Sequence, residues 1–328
     1  MNKILLLFLS TCSGLVLGQS YAPAAGEPNS TAIAFDDNKF VSWASNVEIQ
    51  RGYVNISDTS VYYDNSNKAS FGEPSDAIGP ATNNSTDVVS IGDSGVAIAT
   101  FTTPIVNGIG PDFAIFENGF SENFLELAHV EVSSDGINYF RFPSHSETQT
   151  ENSIGGFGLL DPTYLNNLAG KYKVGYGTPF DLEELKDSTG LNVNSITHVK
   201  IIDVVGSIDE FGTVDSYGNK INDPFPTPYA SAGFDLNAIG VINEETLGLF
   251  TEEISFNIFP NPSNGIINIE FEGNNEMEIK IYNNMGQQIK QFVLNDINKS
   301  TALDLNKGVY FIHGSSDHSL STKKIVIQ

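Results

Sequence analysis

Almost nowhere in this chain do apolar residues recur at the 3.6-residue spacing of a helix. Instead, short runs alternate apolar and polar residues and are broken every eight to twelve positions by Gly, Pro, Asn or Asp. "GVAIATFTTPI", "DFAIFENG", "LAHVEVSSDGINYFRFP", "ITHVKIIDVVG" and "FDLNAIGVI" are the clearest strands. A period of two exposes one face of a strand and buries the other, so many such strands must cover one another as sheets. The pattern predicts an all-β protein, a jelly roll or β-sandwich. "VEVSSDGINYFRF" reads as a hairpin turning at Asp135-Gly136, with Val130 and Val132 inward. The one helical signal is "PFDLEELKDS", where Leu182 and Leu185 seat a short helix.

Charge and composition narrow the class. The 328 residues suffice for two domains with a sizeable core. Forty acids against sixteen bases leave a net charge of −24, which argues against nucleic acid as a partner because phosphate binding needs a basic face. An acidic excess of this kind serves solubility, or supplies ligands for hard cations such as calcium. Residues 1–18, with Lys3 ahead of the apolar run Ile4 to Leu9, follow the grammar of a secretory signal peptide. The single cysteine, Cys12, lies inside that segment, so the mature chain has no disulfide or thiol chemistry.

Charge also marks a boundary. Residues 254–328 hold seven acids and six lysines, whereas residues 19–253 hold the remaining excess. The expected order is a signal peptide (1–18), a main domain (19–245), an acidic linker (246–255) and a small antiparallel β-sandwich (256–328). In the last, a Pro-Asn-Pro turn and an Asn-Gly turn precede "IINIEF", with Ile267, Ile269 and Phe271 on one face. "FPNPSNG", "IYNNMGQQI", "LNKGVYFI" and the basic end "KKIVIQ" resemble, in that order, the type A C-terminal sorting domain of type IX secretion substrates. The resemblance implies a Bacteroidota-type cell, the type IX machinery as a partner, export across the outer membrane, and removal of the tail with surface attachment or release. In the main domain, "DAIGP", "VSIGDSGVAIATF", "GPDFAIFENGF" and "LAHVEVSSDGINYFRF" resemble a group of bacterial cell-surface proteins similar to galactose-binding-like jelly rolls. That resemblance implies a binding architecture.

No enzyme template fits. G-x-S-x-G, H-E-x-x-H, a Walker loop and a helix-opening G-x-G-x-x-G are all missing. His129, His145 and His198 are widely separated, and His129 and His198 sit inside strand patterns as packed or surface imidazoles. The expectation is therefore a protein without catalytic residues, not an enzyme. The alternatives are a glycan hydrolase working through a carboxylate pair and a structural or adhesive surface protein.

Acids suit metal better. Asp203 ends one strand and Asp235 begins the next, which predicts an antiparallel pair with both carboxylates together; like charges there call for a cation or a hydrogen-bond donor between them. Asp203, Asp235 and Asp223 are the expected calcium ligands, and turn-capping is the competing role. The long loop between those strands also places Asp215, Tyr217, Asn219, Phe225 and Tyr229 where a ring-shaped polar ligand could be held. Finally, "GPDFAIFENGF" reads as a central strand buried on both faces. Asp112 stands at one end, Glu117 and Asn118 at the other, delivering polar groups to a rim. The expected ligand is a glycan or a small nutrient, corrinoids among the candidates, passed to an outer-membrane transporter.

Overall fold

A computed structural model describes residues 21–245, 256–271, 276–295, 300–316 and 319–328. The expected signal peptide and linker lie outside the described residues. The chain falls into two compact units divided after Glu245. Among the described residues, no helix is long and apolar enough to cross a membrane.

The first unit is built on two antiparallel sheets. One runs in the order β1 (Ile33–Ala34), β11 (Tyr176–Phe180), β6 (Phe113–Glu117), β13 (Asp235–Val241), β2 (Ser42–Trp43), with β4 (Val89–Ser90) also beside β13. The other runs β3 (Asn46–Gln50), β5 (Val96–Ile105), β12 (Ile196–Asp203), β7 (Ala128–Ser133), β8 (Phe140–Arg141). A two-stranded ladder, β9 (His145–Ser146) with β10 (Leu165–Asn166), stands apart. The expected all-β sandwich is what forms.

Period-two alternation explains how the sheets meet. Phe113 and Ile115 of β6 join Leu236, Ile239 and Val241 of β13 in one core with Val130 and Val132 of β7 and Val199 and Ile201 of β12. The other face of β6, Ala114 and Phe116, packs in a second layer with Ala238, Phe40 and Trp43. Phe40 lies 4.8 Å from Trp43 and 5.5 Å from Phe116, centroid to centroid. The strand is thus central and buried on both sides, paired with β11 and β13. The hairpin also forms as the sequence predicts: β7 pairs β8 with Val132 opposite Phe140, and Gly136 takes the left-handed φ of +74° that the turn needs. Leu182–Leu185 make one 3₁₀ turn with both leucines buried.

The second unit also holds two antiparallel sheets. The first is β14 (Phe256–Phe259), β15 (Ile266–Phe271), β18 (Ser300–Asp304); the second is β17 (Gln288–Leu294), β16 (Met277–Asn283), β19 (Gly308–Ser316), β20 (Ser319–Ile327). Ile267 and Ile269 enter its core with Ile279, Ile281, Ile312 and Ile325, as the alternation in "IINIEF" requires. The side chain of Phe271 lies outside the described residues.

Candidate functional site

The two ends of β6 do different work. Asp112 Oδ1 accepts from the backbone N–H of Gly108 at 2.7 Å and from Asn243 Nδ2 at 2.8 Å, while Oδ2 accepts from Leu182 N–H at 2.8 Å. Its carboxylate braces three segments and has little left to offer a ligand. Glu117 closes the other end of β6, about 17 Å away at ~3.3 Å per residue, and Asn118 follows it. A glycosidase pair stands roughly 5–10 Å apart, so Asp112 and Glu117 cannot act as one.

At the Glu117 end six acids come together, none more than 6% exposed: Asp93, Glu117, Glu126, Asp203, Asp223 and Asp235. Strand alternation puts several of them there. Glu117 continues the inward stripe Phe113–Ile115, Glu126 precedes the stripe Ala128–Val130–Val132, and Asp203 continues Val199–Ile201. Cross-strand register gathers the ends, since Asp203 faces Ala128 and Leu236 faces Glu117. Part of the cluster is held by backbone. Asp203 accepts from Ser94 and Phe234 N–H at 2.9 and 2.8 Å, Asp223 from Leu127 N–H at 2.6 Å, and Asp93 from Ile56 N–H at 2.8 Å.

Other oxygens have no partner. Glu117 Oε1, Asp235 Oδ1 and Asn118 Oδ1 are buried without a hydrogen bond, although Asn118 Nδ2 does donate to Asp235 Oδ2 at 2.9 Å. Burial pushes Asp235 up to about 7 and Asp93 up to about 6. Burial and then neighbouring carboxylates raise Glu117, Glu126, Asp203 and Asp223 well above the usual carboxylate range. Glu126 feels the charges of Asp235, Glu117, Asp223 and Asp203 together. Among the described residues, no three Asp, Glu, His or Cys side chains already converge as a metal cage.

The three expected calcium ligands therefore share one cluster, but not by the expected route. Asp203 and Asp235 are not paired. β12 and β13 belong to different sheets, because residues 204–234 cross from one to the other instead of closing a hairpin. The link between them is the bond from Phe234 N–H to Asp203 Oδ1.

The remaining expected ligand residues separate. Asp215 accepts from the N–H groups of Ser146, Tyr217 and Asn219 and from Asn219 Nδ2, all at 2.8–3.0 Å. Burial raises its carboxyl, but these bonds outweigh it and hold the group below the usual range. Asp215 and Asn219 thus form a self-contained turn. Tyr217 is exposed and sets its ring 4.7 Å from that of His145. Phe225 is buried and pins the crossover. His129 is buried too; burial and the nearby Arg141 charge lower it to about 4, so it is a neutral packed imidazole.

Tyr229 alone of the expected aromatics joins a larger array. Its ring is 6.1 Å from Tyr63 and 6.3 Å from Phe157; Phe157 is 6.5 Å from Phe124, and Phe124 5.5 Å from Phe120. Phe157 is 75% and Phe120 67% exposed. The sequence reading missed Tyr63, Phe120, Phe124 and Phe157, although "GFSENF" carries a visible signal: two phenylalanines in a Gly/Ser/Asn loop with no strand to bury them. It also missed Glu126 and Asp93, whose signal is their two-residue spacing from inward-facing core positions.

Comparison with known proteins divides the same way as the fold. Residues 257–328 match the secretion system C-terminal sorting domain. The tail is thus a type IX sorting domain, and the chain is a secretion substrate, exported for attachment at the cell surface or release. No curated protein matches the chain. Among solved structures it is similar to Ruminococcus gnavus β-glucuronidase in complex with uronic isofagomine (11% identity, 71% of this chain and 34% of that one, TM-score 0.18). It is similar also to Faecalibacterium prausnitzii β-glucuronidase (10%, 90% and 46%, TM-score 0.19) and to the R. gnavus enzyme with uronic deoxynojirimycin (10%, 89% and 46%, TM-score 0.22). The chain spans about a third to a half of the length of these proteins. The expectation that it is not an enzyme, held beside a glycan-hydrolase alternative, is corrected by this finding, since the solved structures it is similar to are β-glucuronidases. TM-scores this low transfer no activity to the chain.

Proposed function

We propose that this secreted protein captures a glycan or a small ring-bearing nutrient on the aromatic rim of its main unit. One observation supports the reading above the rest: five rings from four separate segments form a continuous chain of ring contacts, with Phe120 and Phe157 largely in water. Exposed aromatic surface is costly unless something covers it, and flat rings bordered by polar loops are a common way to hold sugars and other planar polar ligands.

The test uses the full chain against a glycan array and a vitamin panel that includes corrinoids, measuring retention and product in the same wells. Retention of a ligand by the parent chain, weakened at least about tenfold in Phe157→Ala and Tyr229→Ala, each removing one ring of a hot-spot cluster, supports the proposal. Retention indifferent to both substitutions, or no retention at all, refutes it. Product formation would show that the rim serves a hydrolase.

A further inference from the structure

We propose that the buried acidic cluster at the Glu117 end of β6 is a calcium site, and that the ion fastens the loops bearing the rings. The second half rests on the proposed rim; the first does not. Six carboxylates from six segments are buried together, and none of them belongs to any of the ion pairs described. The Arg51 charge acts on Asp235, but its guanidinium is already engaged by the carbonyls of Phe71, Gly72 and Ser90. Buried charge without a partner costs several kcal/mol per group, so the cluster must either hold protons or hold a cation.

The free oxygens favour a hard cation. Glu117 Oε1 and Asn118 Oδ1 are buried and unpartnered at one end of β6; Asp235 Oδ1 makes no well-formed bond either, although the Ser90 hydroxyl on the facing strand acts on its carboxyl. Calcium takes six to eight oxygens, mixing carboxylates with amide carbonyls, which is this donor set. Among the described residues no thiol stands there, and strand alternation turns His129 to the face of β7 opposite the core-facing Ala128 and Val130, so softer metals lack their usual ligands. Among the described residues no three of these side chains converge as a finished cage, so binding an ion requires them to draw inward.

Connectivity ties the ion to the rim. Phe120 lies three residues after Glu117, and Phe124 two before Glu126. Tyr229 sits on the chain between Asp223 and Asp235. Asp93 holds Ile56 N–H at the root of the segment leading to Tyr63. An ion gathering these acids therefore fixes the roots of three of the four ring-bearing segments, all but the one that carries Phe157.

The test takes the full chain, stripped with EDTA, and titrates it calorimetrically with CaCl2. Expected is at least one calcium per chain with a Kd of about 10⁻³ M or tighter, the range of extracellular calcium modules, and a higher Tm in CaCl2 than in MgCl2 or EDTA. Glu126→Gln keeps the shape and removes one charge. Its Tm should exceed the parent's in EDTA and fall below it in calcium, with affinity reduced about tenfold or more. A variant that merely packs badly would fall in both buffers. Asp223→Asn repeats the comparison from another loop. Absence of calcium binding, or both variants less stable than the parent in EDTA, overturns the site. Limited proteolysis reads the fastening without any ligand: calcium should slow cutting within residues 118–126 and 204–234. Calcium bound with unchanged cutting overturns the fastening alone, and failure of the glycan assay leaves the metal result standing.

Discussion

Take the metal-free chain from about pH 7.5 to about pH 5.5, a change that weakens most proteins whose carboxylates are paired in the native state. Here the sign reverses. Asp235 titrates near 7 in the folded chain and at an ordinary 3.8 when unfolded, so between those values the native state holds a proton that the unfolded chain has lost. The penalty for its buried charge is absent below 3.8, grows through that window and is complete above 7. Lowering the pH from 7 to 5.5 therefore returns about 2 kcal/mol, at ~1.4 kcal/mol per unit. Asp93, raised to about 6, adds about 0.7 kcal/mol on the same scale.

His129 opposes this gain. Its imidazole charges near 6.5 in the unfolded chain but only near 4 when buried, which costs about 1.4 kcal/mol by pH 5.5. The balance is still stabilising by about 1 kcal/mol. Glu117, Glu126, Asp203 and Asp223 are all pushed in the favourable direction and enlarge it. The assay is urea unfolding in EDTA followed by tryptophan fluorescence. Trp43 is the only tryptophan, and it packs on Phe40 and Phe116 in the main unit, so the sorting domain does not contribute. The midpoint should move to higher urea as pH falls, and further still in His129→Gln. A midpoint that falls steadily from about pH 7.5 to 5.5 would refute the argument that these acids are buried together without a cation.

Two other predictions follow from the same geometry. Deleting residues 256–328 should leave the chain in the periplasm, read by fractionation and surface proteolysis; a truncated chain that still reaches the surface contradicts the sorting role of the tail. Asp112→Ala should cost about 3 kcal/mol in the Trp43 unfolding assay, because three donors lose their acceptor at once, while Asp112→Asn recovers part of the loss. Either change should leave ligand retention at the far rim untouched.

What the sequence made legible, and what it hid, follows from how local each cause is. The two faces of "DFAIFE" could be read directly because alternation within one strand decides them: Phe113 and Ile115 entered one layer, Ala114 and Phe116 the other. The Asp135-Gly136 turn and the Leu182–Leu185 turn were likewise set by a few adjacent residues. The supposed pairing of Asp203 with Asp235 went wrong because sequential strands usually pair, and nothing within either strand says that residues 204–234 change sheets. The aromatic rim was hidden for a related reason. Its contacts join Tyr63 to Tyr229 and Phe157 to Phe124, pairs brought together only by the closed sandwich.

The acidic cluster lies between these cases, and its legibility bears on what it is for. Alternation places Glu117, Glu126 and Asp203 in phase with core side chains, so each is aimed inward by the same rule that aims a valine. A carboxylate kept only for solubility or for capping a turn has no reason to occupy an inward position on two separate strands and just ahead of a third. Asp112 and Asp215 show the other use of an acid: every bond they accept braces backbone or a neighbouring amide, and neither leaves a buried oxygen unpartnered. Glu117 keeps one such oxygen free inside the fold, and Asp235 one without a well-formed bond. That unspent capacity is the feature on which the proposed calcium site rests, and the calcium titration decides whether it belongs to a cation or to protonated structural acids.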